Sequence, residues 1–272
     1  MYSEASVTMS LHIDMENRFV VSLNISGSDV TEISIGNAQS RGARDYQEDS
    51  FGYTPLDKVD SNGFVAVVAD GMGGLAAGDK VSSYVVSSLL RMRDLISRGN
   101  VSDKFREMVS QLNHDVVLGG TGGGCTLAAV YCRSDGIYWC SVGDSRIYLF
   151  RSGMVFQLSE DGDYQNRLLD DVIAQRLSFE EVIANEKKDS LVYYIGSKSE
   201  PMPDVNIRPL VPRSGDKLLI CSDGVYNALS DKEMSLALFQ PAQQAADALA
   251  SAIINKNYTN QDNNTMIVLE FI

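Results

Sequence analysis

FVAVVADG, residues 64–71, is the stretch that decides how this chain folds. Phe64 to Ala69 run without a polar break and stop abruptly at Asp70-Gly71. Strict alternation would mark a strand wetted on one face, whereas an unbroken apolar run of this length marks a strand buried on both. The same design returns in LLICSDG, residues 218–224, which ends on Asp223-Gly224, and a related turn, Gly143-Asp144-Ser145-Arg146, links two more strand-like segments. An aspartate at the end of a buried strand is rigidly placed, and a glycine after it lets a backbone carbonyl approach a ligand closely. Hard divalent cations take such oxygen donors. A lone Asp-Gly is also an ordinary turn, so the weight lies in the repetition. If the aspartates met, their charges would drive them toward protonation unless a cation sat among them.

Working outward, Thr8 to Asp14 and Phe19 to Ile25 alternate apolar and polar residues about a polar turn, a hairpin that extends a sheet edge. Ile33 to Ala38 and Ser50 to Tyr53 follow as strands. Gly78 to Ser97 repeats Val81, Val85, Val86, Leu89, Leu90 and Met92 at helical spacing, and Ser102 to Leu118 gives a second helix opened by Ser102. Cys125 to Cys132, Ile137 to Val142, Ser145 to Arg151 and Val155 to Leu158 are four short strands that read as an antiparallel meander. The polar, helix-prone segment from 160 to 190 stands over a surface as a mobile insertion. Val205 to Arg208, Lys217 to Cys221 and Met266 to Phe271 read as strands, and Lys232 to Phe239 and Ala242 to Ile254 as helices. Strands and helices come in blocks, so a parallel βαβ fold is disfavoured.

Composition narrows the function. Among 272 residues 36 acidic side chains face 23 basic ones, a net charge of −13 that repels nucleic acid and anionic membranes. Neither is an expected partner. Met1 to Ser10 lacks a basic region followed by an apolar stretch, so a cytoplasmic protein is expected. Cys125, Cys132, Cys140 and Cys221 sit among apolar residues without zinc-site spacing and read as buried thiols. There is no G-x-S-x-G, no H-E-x-x-H and no P-loop, and His12 and His114 leave a serine-hydrolase triad little to work with. Gly71 to Ala76 fits G-x-G-x-x-A, but Asp70 would oppose a pyrophosphate and the acidic residue about twenty positions on, Asp94, lies in a helix.

Five ordered segments then carry a resemblance: Arg44-Asp45-Tyr46-Gln47-Glu48-Asp49, Asp70-Gly71-Met72-Gly73-Gly74, Gly143-Asp144-Ser145-Arg146, Ser222-Asp223-Gly224 and Asp262-Asn263-Asn264-Thr265. In this order they resemble the motifs of the type 2C (PPM) protein phosphatases. The resemblance implies an α+β fold, a four-layer α-β-β-α sandwich of two antiparallel sheets flanked by helices. With the hairpin read above as an extension over 1–30, it leaves a single catalytic domain over 31–272, with a flap insertion at about 160–200. By the same resemblance Asp49, Asp70, the Gly71 carbonyl, Asp223 and Asp262 hold two Mn²⁺ or Mg²⁺ ions, with Glu48 acting through water and Asp144 helping a third, weaker metal. Arg44 grips the phosphate, for which a planar guanidinium is well shaped. The implied reaction is hydrolysis of phosphoserine and phosphothreonine on substrates of a serine/threonine kinase, by in-line attack of a metal-bridging hydroxide. A monomer is expected.

The sequence departs from the family at three places. Met72 stands where eukaryotic members carry histidine, Gly162 where many relatives have histidine after the aspartate, and Tyr193-Tyr194-Ile195-Gly196-Ser197 lacks their threonine-arginine pair. The metal ligands are intact, while flap function and substrate choice are altered. A catalytically impaired phosphatase-like domain that binds a partner or senses a ligand is the rival reading.

Overall fold

The structure, a computed structural model, describes residues 11–13, 19–55, 58–59, 62–72, 77–163, 168, 171–185 and 190–272. Among these residues two antiparallel sheets lie face to face. One orders its strands β1 (Leu11–Ile13), β2 (Phe19–Ser22), β3 (Glu32–Ser40), β12 (Asn264–Phe271), β11 (Lys217–Cys221), β8 (Arg146–Arg151) and β9 (Met154–Gln157). The other runs β10 (Asp204–Val205), β7 (Gly136–Val142), β6 (Leu127–Arg133), β5 (Phe64–Ala69) and β4 (Ser50–Tyr53).

The unbroken apolar runs follow from cover on both faces. In β5, Phe64, Ala66 and Val68 enter the core between the sheets, while Val65, Val67 and Ala69 meet a layer of helices. In β11, Leu218 and Ile220 face the other sheet, and Leu219 and Cys221 face a second helical layer. The first layer is α1 (Gly78–Arg91), α2 (Arg93–Ile96) and α3 (Val101–Leu118), which bury Val81, Val85, Leu89, Phe105, Met108 and Leu112. Beyond the short α4 (Phe179–Ile183) and α5 (Asp223–Tyr226), the second layer is α6 (Asp231–Leu238) and α7 (Ala242–Lys256). The face of α7 is alanine-rich, with Ala242, Ala245 and Ala246 buried, and it packs closely: a Cβ on Gly36 of β3 would stand 2.2 Å from the Ala242 carbonyl oxygen. The α-β-β-α sandwich expected from the sequence is the observed architecture. Among the described residues no helix is long and apolar enough to cross a membrane.

Several boundaries depart from the sequence reading. The four-strand meander is split. β6 and β7 pair in one sheet and β8 and β9 in the other, so the Gly143–Ser145 turn carries the chain across the sandwich. The helix expected over Gly78 to Ser97 breaks at Met92, whose amide turns back to the carbonyls of Ser88 and Leu89. Asn100, rather than Ser102, caps α3 by accepting from the Asp103 amide, and the Ser102 hydroxyl instead donates to the Asn206 carbonyl. The strand expected over Val205 to Arg208 ends at Val205, because Asn206 turns its side chain into the ladder. Its amide nitrogen donates to the Ile137 carbonyl and its amide oxygen accepts from Trp139 N–H, replacing backbone pairing with β7. Thr8 to Ser10, Asp14 and the Met15 to Arg18 turn lie outside the described residues, as do parts of the 160–190 segment, while β1 pairs with β2 at the sheet edge. The four cysteines are buried and unpaired.

Candidate active site

Strand register gathers the motif residues at one end of the sandwich. Ser50 pairs with Ala69, so Asp49 before β4 and Asp70 after β5 leave the sheet side by side. Cys221 pairs with both Met266 and Arg146, which brings Ser222-Asp223, Asp262-Asn263 and the Gly143-Asp144 turn to that same end. Arg44, Glu48, Asp70, Gly71, Asp144, Asp223 and Asp262 line one cleft with Met72, Thr126, Leu191 and Asn263. Asp49 is buried, 4% exposed. Each residue expected to bind metal or phosphate is therefore in or against this cleft. His114 is exposed on α3, and the side chain of His12 lies outside the described residues.

Close approach holds the segments together. A Cβ on Gly71 would lie 2.5 Å from the Glu48 carbonyl oxygen, to which the Gly71 amide donates, and one on Gly224 would lie 2.0 Å from the Asn263 carbonyl oxygen. Asn263 is a clamp that sequence reasoning passed over. Its side-chain oxygen accepts from Glu48 N–H at 2.7 Å, and its amide nitrogen donates to the carbonyls of Arg41 and Tyr46. Ser222 was also passed over: its hydroxyl donates to Asp49 Oδ2 at 2.7 Å and accepts from Thr265 N–H. Thr126 Oγ1 accepts from Asp70 N–H and is hydrogen-bonded to Ser145 Oγ at 2.6 Å. Arg146 of the Gly143 turn points away from the cleft. It forks onto Asp161 and stacks 3.6 Å from the centre of the Tyr226 ring, whose hydroxyl donates to the Asp144 carbonyl. The signal for Ser222 and Asn263 was available, since both lie inside quoted motifs next to an aspartate.

The carboxylates are under electrostatic pressure. The Asp70 carboxyl lies within hydrogen-bond reach of both Asp49 and Asp223. Burial, followed by the charges of Asp49, Asp223 and Asp144, pushes Asp70 well above the usual carboxylate range. Burial pushes Asp49 up to about 6 against the Ser222 hydrogen bond, and lifts Asp144 to about 7 with help from Asp223 and Asp161. Asp223 and Glu48 are raised for the same first reason. Asp49 Oδ1 is buried with no donor aimed at it. At the rim Arg44 Nη2 meets Asp262 Oδ2 at 2.5 Å, and that bond and charge raise the guanidinium further. Among the described residues no three such side chains ring a single point as the ligands of one ion do. They are paired instead, Asp70 with Asp49 and with Asp223, and Asp262 with Arg44. Acceptors in such contact repel unless a proton or a cation lies between them, and a lone buried carboxylate oxygen wants the same partner. The donor set, all oxygen and mostly anionic, is that of Mg²⁺ and Mn²⁺.

Residues 41–256 match the family described as Protein phosphatase 2C. The chain belongs to the protein phosphatase 2C family. As a member it is a phosphoprotein phosphatase, and its relatives are bacterial enzymes of that kind. The serine/threonine phosphatase Stp of Listeria monocytogenes is 28% identical over 218 residues, 76% of this chain and 84% of its own. PstP of Mycobacterium tuberculosis is 28% identical over 225 residues, 79% of this chain but 42% of its own. The serine/threonine phosphatase of S. agalactiae superposes with a TM-score of 0.74 at 27% identity, covering 88% of this chain and 100% of that one. The catalytic domain of PstP in complex with two manganese ions superposes with a TM-score of 0.67 at 26% identity, covering 88% of this chain and 98% of the other.

Two of the departures from the family can be placed, one in this cleft and one beside it. Met72 lines it and donates its amide hydrogen to the Gly124 carbonyl. Gly162 lies on the Gly143 turn, donating to the Gly143 carbonyl at 2.7 Å and accepting from Val192 and Tyr193. A side chain there would press on Gly143, whose amide nitrogen is 3.0 Å from a built Cβ. Glycine thus suits this close crossing of the chain at Gly162 over the turn that carries Asp144.

Proposed function

We propose that this phosphatase removes phosphate from phosphoserine and phosphothreonine on proteins, using Mn²⁺ or Mg²⁺ held at the carboxylate end of the sandwich. The observation that carries the reading is the contact of Asp70 with Asp49 and Asp223 in a cleft that also presents Arg44. Asp49, Asp70, the Gly71 carbonyl, Asp223 and Asp262 would hold two ions, Glu48 would act through water, and Asp144 would help a third. When bound, the ions lower the pKa of water for attack on phosphorus and offset the charge of the dianionic ester. Residues 31–272 form the catalytic unit in this reading, with the hairpin over 1–30 as an extension and 160–200 as the flap.

The chain's own groups have defined tasks. Arg44 offers a two-pronged donor for the non-bridging phosphate oxygens, once Asp262 is engaged elsewhere and releases it. Ser222 and Thr126 orient Asp49 and the Asp70 backbone, so the acceptors stay in place as charge shifts during the reaction. Met72 has no titratable group, so the leaving-group proton does not come from that position. No expected carboxylate is replaced, and no observation favours the impaired, partner-binding alternative.

The test pairs turnover with binding. Hydrolysis of p-nitrophenyl phosphate and of a phosphothreonine peptide should require Mn²⁺ and be abolished by EDTA. Asp223→Asn should abolish both activities while keeping the circular-dichroism spectrum, and titration calorimetry should show Mn²⁺ binding weakened. An Asp223→Asn protein with near wild-type turnover would sink the assignment.

A further inference from the structure

Arg146 begins β8 two residues after Asp144, and the proposed chemistry gives it nothing to do. Its side chain is nevertheless engaged on every side behind the cleft. Nε and Nη2 fork onto the Asp161 carboxylate at 2.9 and 2.6 Å, Nη1 donates to the Tyr148 hydroxyl at 2.9 Å, and the guanidinium carbon stands 3.6 Å from the centre of the Tyr226 ring. Two of these partners lead back to the turn that carries Asp144. The Tyr226 hydroxyl donates to the Asp144 carbonyl at 2.8 Å. Asp161 precedes Gly162, whose amide donates to the Gly143 carbonyl at 2.7 Å. Ser145, the next residue of the turn, is held separately through Thr126 Oγ1.

The Arg146 side chain is 24% exposed and that of Asp161 12%. An ion pair so far out of water adds little stability over an apolar replacement of the same volume. What it supplies is direction. The fork fixes the plane of the guanidinium, the plane fixes the ring stacked on it, and the ring aims a hydroxyl at the main chain of Asp144. The pairing also answers an electrostatic difficulty, because a bare arginine behind Asp144 would oppose a cation in front of it, and Asp161 cancels most of that charge. Tyr226 closes α5, the helix that opens with Asp223, so the same stack ties the turn to a second strand-end aspartate.

We propose that Arg146, acting through Asp161 and Tyr226, is the positioning residue that sets Asp144 for its metal ion. The inference rests on the phosphatase reading, in which Asp144 helps a third ion, and adds the device that holds this ligand in place. Groups that lie behind a metal ligand fix its direction, and their loss weakens metal binding although none of them touches the ion.

The experiment titrates Mn²⁺ into metal-free protein by calorimetry and records melting in EDTA for the same samples. Asp144→Asn identifies the phase of the titration to which Asp144 contributes. Arg146→Met should weaken that phase about 10–100-fold. Tyr226→Phe, which keeps the ring under the guanidinium and removes only the hydroxyl, should weaken it roughly fivefold, the share of one neutral hydrogen bond. Neither change should weaken Mn²⁺ binding further when made in the Asp144→Asn protein, since non-additivity marks residues that act through one another. Arg146→Lys keeps the charge beside Asp161 but can neither fork nor stack in the same plane, so it should recover melting temperature without recovering the Mn²⁺ phase. Variants that melt lower yet bind Mn²⁺ as wild type does would reduce the network to scaffolding and overturn the proposal. It is equally overturned by an undiminished loss in the Asp144→Asn background, by full recovery with lysine, or by an Asp144→Asn titration identical to wild type. All four results leave the phosphatase reading standing, whereas wild type inactive on p-nitrophenyl phosphate with Mn²⁺ overturns both.

Discussion

Removing metal from this phosphatase should make its stability fall as pH rises from 5 to 8. In the folded chain the carboxyls of Asp144 and Asp49 are lifted from 3.8 to about 7 and about 6 by burial. A carboxyl whose pKa is raised on folding binds its proton more tightly folded than unfolded. Its stabilising effect is therefore fully present below the unfolded pKa and is lost as pH climbs through the folded one. Between pH 5 and pH 8 the loss integrates to roughly 2.5 kcal/mol for Asp144 and roughly 1.5 kcal/mol for Asp49. Together, about 4 kcal/mol corresponds to roughly 7 °C of melting temperature in a chain of this length. Other titrating groups contribute too, so the quantity to follow is the difference between melting with saturating Mn²⁺ and with EDTA. Cations replace protons among these carboxylates, and the difference should widen toward pH 8. Asp144→Asn removes its own share and should flatten the metal-free curve. A gap between the two melting curves that stays constant from pH 5 to pH 8 would refute the reasoning, since the carboxylates would then not be sharing protons.

Three substitutions test the geometry separately. Arg44→Ala should raise KM for a phosphopeptide roughly tenfold or more with a smaller effect on kcat, and steady-state kinetics with an unchanged KM would remove Arg44 from phosphate binding. Ser222→Ala leaves Asp49 Oδ2 without its 2.7 Å donor. The expected result is about 1–2 kcal/mol less stability in denaturant titration and weaker Mn²⁺ binding by calorimetry, while unaltered binding would make the hydroxyl incidental. Gly224→Ala places a methyl against the Asn263 carbonyl, which should shift the segment bearing Asp262, lower stability by about 2–3 kcal/mol and reduce turnover. A variant indistinguishable from wild type in melting and kcat would contradict the close approach.

Which parts of this site could be read from the chain follows from what a sequence encodes locally. FVAVVADG and LLICSDG announced buried strands ending in aspartate because burial on two faces leaves a mark in every residue. Convergence is another matter. It depends on Ser50 standing opposite Ala69 and Met266 opposite Cys221, and register is a relation between segments that neither segment states. For the same reason the strands around Gly143 read as one meander: with both faces buried, nothing in Ile137 to Val142 or Ser145 to Arg151 tells which sheet each joins. Side chains that imitate backbone, such as Asn206 beside β7 and Asn263 between Glu48 and Arg41, are invisible to periodicity altogether.

The crossing at Gly143 nonetheless explains why the site has the charge it has. A turn that passes from one sheet to the other must run over the end of the core, where it meets the ends of β5 and β11. Asp144 then sits near Asp70 and Asp223, half-buried at the end of the core, where loss of water penalises its charge. The burial that fixes these carboxylates in position is thus the first cause of their raised pKa values, and the rigidity of the site and its demand for cations have one origin. An exposed cluster of the same composition would be neither so fixed nor so averse to its own charge. Weakening the packing beneath the site, by Val68→Ala in β5 for example, should therefore loosen Mn²⁺ binding without touching a ligand. Calorimetry that found Mn²⁺ affinity untouched in a Val68→Ala protein of measurably lower stability would separate the two properties that burial is argued to join.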